Sequence, residues 1–170
     1  MKIIFVLVLA TMLAGCATAP ETYVSTHAKG AVCAPSSFET TFFPSVKEAF
    51  AWPVRGCIIS SFGDKVGRVR NKGVDISAAD GSNVRAAKAG KVVYCDSYLK
   101  GFGKTVILDH GNNYQTVYSY NQEILVRVGD VVEQNTVIAR VGRTGRAKEP
   151  SLHFEIRKSG EPQNPSYYLR

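Results

Sequence analysis

Acidic residues are scarce in this 170-residue chain: 14 Asp and Glu stand against 21 Lys and Arg, a formal charge of +7. That imbalance favours acidic surfaces as partners. Cysteine and histidine are also few, four and three, and no two cysteines have the C-x-x-C spacing of a zinc or dithiol redox site. No internal repeat or low-complexity tract occurs, so repeat architectures are excluded. Long hydrophobic runs are missing except for one at the start, Ile3 to Ala10, which falls short of the ~20 apolar residues that a membrane-spanning helix needs. A bundle of membrane spans is therefore excluded. The remaining composition, 45% hydrophobic and 21% charged, is that of a chain able to bury one core.

The apolar start has a recognisable form. Met1-Lys2 carries one positive charge, the apolar run follows, and Leu13-Ala14-Gly15-Cys16 closes it with small residues before a cysteine. This resembles a lipoprotein signal sequence, which implies cleavage after residue 15 and acylation of Cys16. More than one acyl chain would anchor the protein stably to a membrane. Ala17 follows the cysteine, where an Asp would favour inner-membrane retention, so the expected location is the cell envelope, on the outer membrane facing the periplasm. Export implies an oxidising compartment. Cys33, Cys57 and Cys95 then remain, compatible either with one bridge and one free thiol or with three unpaired thiols.

Residues 16–50 contain Pro20, Pro35 and Pro44 among many Ser, Thr and Ala, without a sustained period. They read as a lipidated flexible tether with a root-mean-square span of roughly 30–35 Å. Its second half carries Phe38, Phe42, Phe43, Val46 and Phe50, too apolar to remain free in water, and is expected to dock on the domain, with a short helix over Ser45 to Phe50 as one option. Basic residues cluster at Lys65, Arg68, Arg70 and Lys72, and at Arg140, Arg143, Arg146 and Lys148. Nucleic acid is no natural partner for an exported chain, so anionic wall polymers or an acidic protein face are the candidates, with simple loop solvation as the bland alternative.

Residues 51–170 change character, with short runs rich in β-branched and aromatic residues separated by glycine and asparagine. Strands are expected over Cys57 to Ser60, Lys91 to Asp96, Thr105 to Asp109, Gln115 to Tyr120, Leu125 to Val128, Val137 to Val141 and Leu152 to Arg157. Breaks fall at Gly81-Ser82-Asn83, Gly101-Phe102-Gly103, Gly111-Asn112-Asn113, Gly129-Asp130 and Gly142 to Gly145. The three runs from Lys91 to Tyr120 are close enough for an antiparallel meander. The expected fold is all-β, a two-layer antiparallel sandwich.

Several ordered motifs carry a family resemblance: Trp52-Pro53-Val54-Arg55-Gly56, Ser61-Phe62-Gly63, Lys72-Gly73-Val74-Asp75-Ile76, Gly90-Lys91-Val92-Val93-Tyr94, Val128-Gly129-Asp130, Gly142-Arg143-Thr144-Gly145, Leu152-His153-Phe154-Glu155-Ile156-Arg157 and Asn164-Pro165. Over about residues 52–169 the chain resembles the LytM, or lysostaphin-like, peptidases, which implies a sandwich of that duplicated hybrid type. Active members hold zinc through His and Asp of an H-x-x-x-D motif and the second His of H-x-H. Here the first motif reads Asn71 to Asp75 and the second Ser151-Leu152-His153, so Asp75 and His153 remain as vestigial ligand positions. A further family histidine falls on Tyr120. Catalytic zinc normally takes three protein ligands and a water, and an amide oxygen replaces imidazole poorly. Neither Ser151 nor Tyr120, with its ordinary pKa of about 10, supplies a base near neutral pH. No cofactor, no bound metal and no catalysis are expected. His110, in Asp109-His110-Gly111, reads as a strand-end turn residue, and His27 as a solvated tether residue.

A degenerate LytM domain on a lipoprotein resembles the murein hydrolase activators, which bind N-acetylmuramoyl-L-alanine amidases and relieve their autoinhibition during septum splitting. That resemblance implies a cleft floored by Asn71, Asp75, Tyr120, Ser151 and His153 and rimmed by Lys72, Arg143 and Arg146, which accepts an amidase segment. The chain departs from those activators in having no room for a wall-binding module or long coiled coil before the domain. Two other readings stand beside this one: a peptidoglycan-binding lipoprotein without an amidase partner, and a residual zinc endopeptidase.

Overall fold

A computed structural model describes residues 48–67 and 69–170. The signal segment, Cys16, His27, Cys33, the tether to residue 47 and Arg68 lie outside the described residues.

Thirteen strands follow in chain order: β1 Cys57–Ser60, β2 Lys65–Val66, β3 Val69–Arg70, β4 Val74–Ser77, β5 Asn83–Arg85, β6 Gly90–Asp96, β7 Lys104–Asp109, β8 Tyr114–Asn121, β9 Glu123–Ile124, β10 Val131–Val132, β11 Val137–Arg140, β12 Ser151–Lys158 and β13 Glu161–Gln163. A 3-10 turn over Pro165–Tyr167 is capped by Asn164, whose side chain accepts from the Ser166 N–H. The larger sheet runs β1-β4-β12-β8-β7-β6-β10, with β13 added on β12. Three strands, β5-β11-β9, form the second sheet, and β2-β3 form a small hairpin. All strand pairs are antiparallel, so the fold is all-β as the composition implies, and β6, β7 and β8 are the expected meander.

Alternation explains which faces are buried. In β12, Leu152, Phe154 and Ile156 enter the core while Ser151, His153 and Glu155 lie on the opposite face, as the two-residue period of a strand requires. Phe154 pairs in register with Val74 of β4 and Tyr118 of β8. The second sheet contributes Val84, Ile138 and Ala139 to the same core. Each large side chain removed from water there contributes on the order of 2 kcal/mol.

One expected strand is corrected. Leu125 to Val128 is not a strand; pairing ends with β9 at Ile124. The chain turns instead, with the Asp130 carboxylate accepting from the Arg127 N–H at 2.8 Å and the Gly129 N–H donating to Val92 O. Short strands such as β5, β10 and β13 escaped the sequence pattern because two or three residues show no period. At the N-terminal end, Ser45 to Lys47 lie outside the described residues, and Phe50 is bridged in parallel to Leu169 rather than helical. Phe50 is fully buried against His110, Tyr114 and Tyr168. Beside it, Lys88 pairs with Glu48. Cys57 is disulfide-bonded and Cys95 is a free thiol, which excludes the alternative of three unpaired thiols.

Candidate functional site

The central strands carry polar residues on the face away from the core, and these line a cavity of about 280 Å³ walled by Val69, Arg70, Asn71, Lys72, Asp75, Gly101, Phe102, Tyr120, Arg146, His153 and Arg157. Strand register brings the floor together. Asp75 of β4 lies opposite His153 of β12, and His153 lies opposite Ser119 of β8.

His153 is the hub. Its Nδ1 is 2.7 Å from Asp75 Oδ1 and its Nε2 is 3.1 Å from Glu155 Oε1. Glu155, fully buried, also takes the Arg157 guanidinium at 2.6–2.7 Å. Charges therefore alternate along Asp75, His153, Glu155 and Arg157. Burial by itself would lower the His153 pKa, but the hydrogen bonds and charges of Asp75 and Glu155 outweigh it and push the imidazole up to about 9. Burial by itself would raise the Glu155 carboxyl, but His153 and Arg157 outweigh it and hold it below its usual range. At neutral pH the ring is an imidazolium with both N–H groups donated to carboxylates. Phe102 and Tyr120 stand against it, with ring centroids 5.5 and 5.3 Å away in edge-on and tilted contacts.

Tyr120 reaches that place by an unusual backbone. Simple alternation along β8 would send it to the core side with Tyr118, but its φ of +74° turns the ring to the cleft. The left-handed conformation costs a tyrosine on the order of 1–3 kcal/mol and is held from both sides: Tyr120 N–H donates to Phe102 O at 2.9 Å, and Thr144 N–H donates to Tyr120 O at 3.2 Å. Arg146 N–H bonds Gly101 O at 3.0 Å, and a Cβ at Gly103, itself at φ +64°, would lie 2.3 Å from Thr144 Oγ1. The glycine breaks seen in the sequence thus knit three loops into one cleft wall. Burial, followed by the Asp75 charge, raises the Tyr120 hydroxyl to about 12, so it stays protonated and acts as no base.

Asn71 is equally committed. Its Oδ1 accepts from the Gly73 N–H at 3.0 Å and its Nδ2 donates to Ser60 Oγ at 2.9 Å. These contacts decide how well the residues present suit the zinc that the family resemblance implies. The amide oxygen at the first ligand position is spent on the backbone, and the imidazole at another has both nitrogens hydrogen-bonded to carboxylates, Asp75 among them. Among the described residues no cluster of three His, Cys, Asp or Glu could hold a metal ion. The donor set does not fit zinc.

The structure brings Asn71, Asp75, Tyr120 and His153 together on the cavity wall, with Lys72 and Arg146. Ser151 and Arg143 are not on that wall. Ser151 is buried, its hydroxyl donated to Glu149 O at 3.0 Å, and Arg143 is exposed in the loop after Gly142. His110 lies away from the cavity, with Nδ1 2.8 Å from Ala89 O and Nε2 2.7 Å from Thr116 Oγ1, and burial lowers its pKa. Sequence reasoning missed Phe102, Arg70, Glu155 and Arg157. For the last two the signal was present, since positions 153, 155 and 157 share one face of a strand.

Comparison with known proteins places the domain in a family. The profile of peptidase family M23 matches residues 69–165. Murein hydrolase activator EnvC of Escherichia coli is 41% identical over 119 residues, covering 69% of this chain and 28% of EnvC. A lipoprotein NlpD/LppB homolog of Pseudomonas aeruginosa is 42% identical over 120 residues, 71% of this chain and 39% of that protein. The chain thus spans well under half the length of these curated relatives. A zinc-containing peptidase from Vibrio cholerae superposes with a TM-score of 0.64 at 29% identity, over 69% of this chain and 39% of that one. The profile covers more than half of the sequence and the β-sheet architecture is shared, and on those grounds the chain belongs to peptidase family M23.

Proposed function

We propose that this M23 domain is a non-catalytic activator of a peptidoglycan amidase of the N-acetylmuramoyl-L-alanine class, presented in the cell envelope on a tether, residues 16–50, lipidated at Cys16. The observation that carries the reading is a peptidase cleft that stays open while its ligand positions are consumed internally, Asn71 by Gly73 and Ser60, His153 by Asp75 and Glu155. A cleft shaped for a peptide but stripped of an activated water can still hold a peptide. The name of EnvC as a murein hydrolase activator and that of the Pseudomonas relative as a lipoprotein support the same direction.

In this account the cleft accepts the amidase segment that blocks the amidase active site. Activation is a population shift, and turning a 1:99 equilibrium into 99:1 requires the open amidase to be bound better by about 5.5 kcal/mol. Tyr120 and Phe102 supply the apolar wall that such a segment would pack against. The test is amidase activation by a Tyr120→Ala variant whose thermal midpoint shows it folded. Activation reduced at least tenfold supports the cleft as the contact; activation at the wild-type level removes it.

A further inference from the structure

We infer that the cleft contains a seat for a carboxylate, formed by Arg70, Lys72 and Arg146, so that the protein segment it accepts presents an acidic side chain. This rests on the reading of the cleft as a receptor for a protein segment.

Each charged group around the cavity can be placed. Asp75 is paired with His153, and Glu155 is shared by His153 and Arg157. Asp75, the sole acid on the cavity wall, is therefore already engaged by His153 at 2.7 Å, and Arg157 by Glu155. The other three cations of the wall have no carboxylate partner among the described residues. Arg70 makes one hydrogen bond, from Nη1 to Gly63 O at 3.0 Å, which satisfies a donor without cancelling charge. Lys72 and Arg146 are exposed, and neither takes part in an ion pair among the described residues. Three uncompensated cations on the wall of one concave site repel each other in the empty state, and a single carboxylate relieves that repulsion.

The shape of the cavity narrows the occupant. About 280 Å³ bounded by the Phe102 and Tyr120 rings and by Val69 accepts a side chain together with an apolar neighbour, and two guanidinium groups suit the planar carboxylate of Asp or Glu. The cations come from separate elements, Arg70 from β3, Lys72 from the turn before β4, and Arg146 from the loop bonded to Gly101. They converge through the fold rather than through a run of basic sequence.

The experiment uses the full chain in detergent and two capped peptides, one with a glutamate between leucines and its glutamine twin, read by fluorescence anisotropy. The glutamate peptide is expected to bind roughly tenfold more tightly than the glutamine peptide, the weight of one charge-assisted pairing. The preference should shrink in about 0.5 M salt and vanish in the Arg70→Gln, Lys72→Gln, Arg146→Gln triple variant, with a melting curve as the control for folding. Should the triple variant not fold, the salt response of the wild type decides. Equal affinity for the two peptides, no binding of the glutamate peptide at millimolar concentration, or a preference that survives salt and the substitutions would overturn the seat. Displacement of the glutamate peptide by a soluble muropeptide at lower concentration would overturn it as well, by giving the seat to a wall stem peptide. Failure of the activator reading is separable, because it shows as absent amidase stimulation by the wild type whatever the peptides do.

Discussion

Replacing His153 by Gln tests the internal cation of the cleft. The substitution keeps the approximate size of the side chain and one donor, but leaves the buried Glu155 and the nearby Asp75 with no charge between them. Breaking a buried ion pair by removing one partner typically costs about 3–5 kcal/mol, and here Arg157 keeps part of the compensation for Glu155, so a loss of about 2–3 kcal/mol near pH 6 is expected. The pH dependence is more diagnostic. The folded imidazole ionises near 9 against 6.5 for the free ring, so its contribution, about 3 kcal/mol at most by linkage, is fully present below pH 6.5 and declines as pH rises through 9. Glu155, held low, contributes in the opposite sense, with stability present above its ordinary value of 4.5 and lost as pH falls through its depressed one. Urea unfolding followed by the fluorescence of Trp52, the single tryptophan, which packs against the core, should show wild-type stability falling between pH 6.5 and 9. The variant should lack that slope. A wild type with flat stability over this interval, or a variant with the same decline, would refute the imidazolium.

Zinc added to the metal-free chain should leave its thermal midpoint unchanged, and a rise of several degrees at micromolar zinc would show that Asn71 and His153 can be freed for coordination. Gly73→Ala should cost about 3 kcal/mol in urea unfolding, the upper end of the usual overpacking range, because a Cβ there would lie 2.1 Å from Phe154 O and 2.9 Å from Glu155 Cγ; a loss under about 1 kcal/mol would mean that β12 yields easily. Phe50→Ala should cost about 3–5 kcal/mol, since the ring is fully buried and Lys88 sits 5.5 Å above it, and a neutral result would show that the chain before Trp52 does not belong to the fold.

What could be read from the sequence follows from how strongly each element is patterned. β6, β7, β8 and β12 are long enough to show β-branched and aromatic enrichment, and each lies within a residue of its expected bounds. β10 and β13 contain two or three residues, and their pairing is decided by the strands beside them. Leu125 to Val128 misled because alternating apolar residues look alike in a strand and in a turn where only Val126 packs inward. Within the site, the ligand motifs located Asn71, Asp75 and His153, but not what they bond to. Phe102 was visible only as the middle of a glycine break, and its placement depends on loops more than forty residues apart in sequence. Ser151 was expected on the cleft floor from its motif spacing, yet its hydroxyl turns to the Glu149 carbonyl, a local choice that spacing does not encode.

Dye release from labelled sacculi tests the central claim most directly, with the chain alone, with the chain and a chelator, and with each amidase of the same cell. The account predicts no release by the chain alone and faster release by one amidase in its presence. Release by the chain alone that a chelator abolishes would contradict it, because the ligand positions occupied by Asn71 and His153 would then be supporting a working metal site.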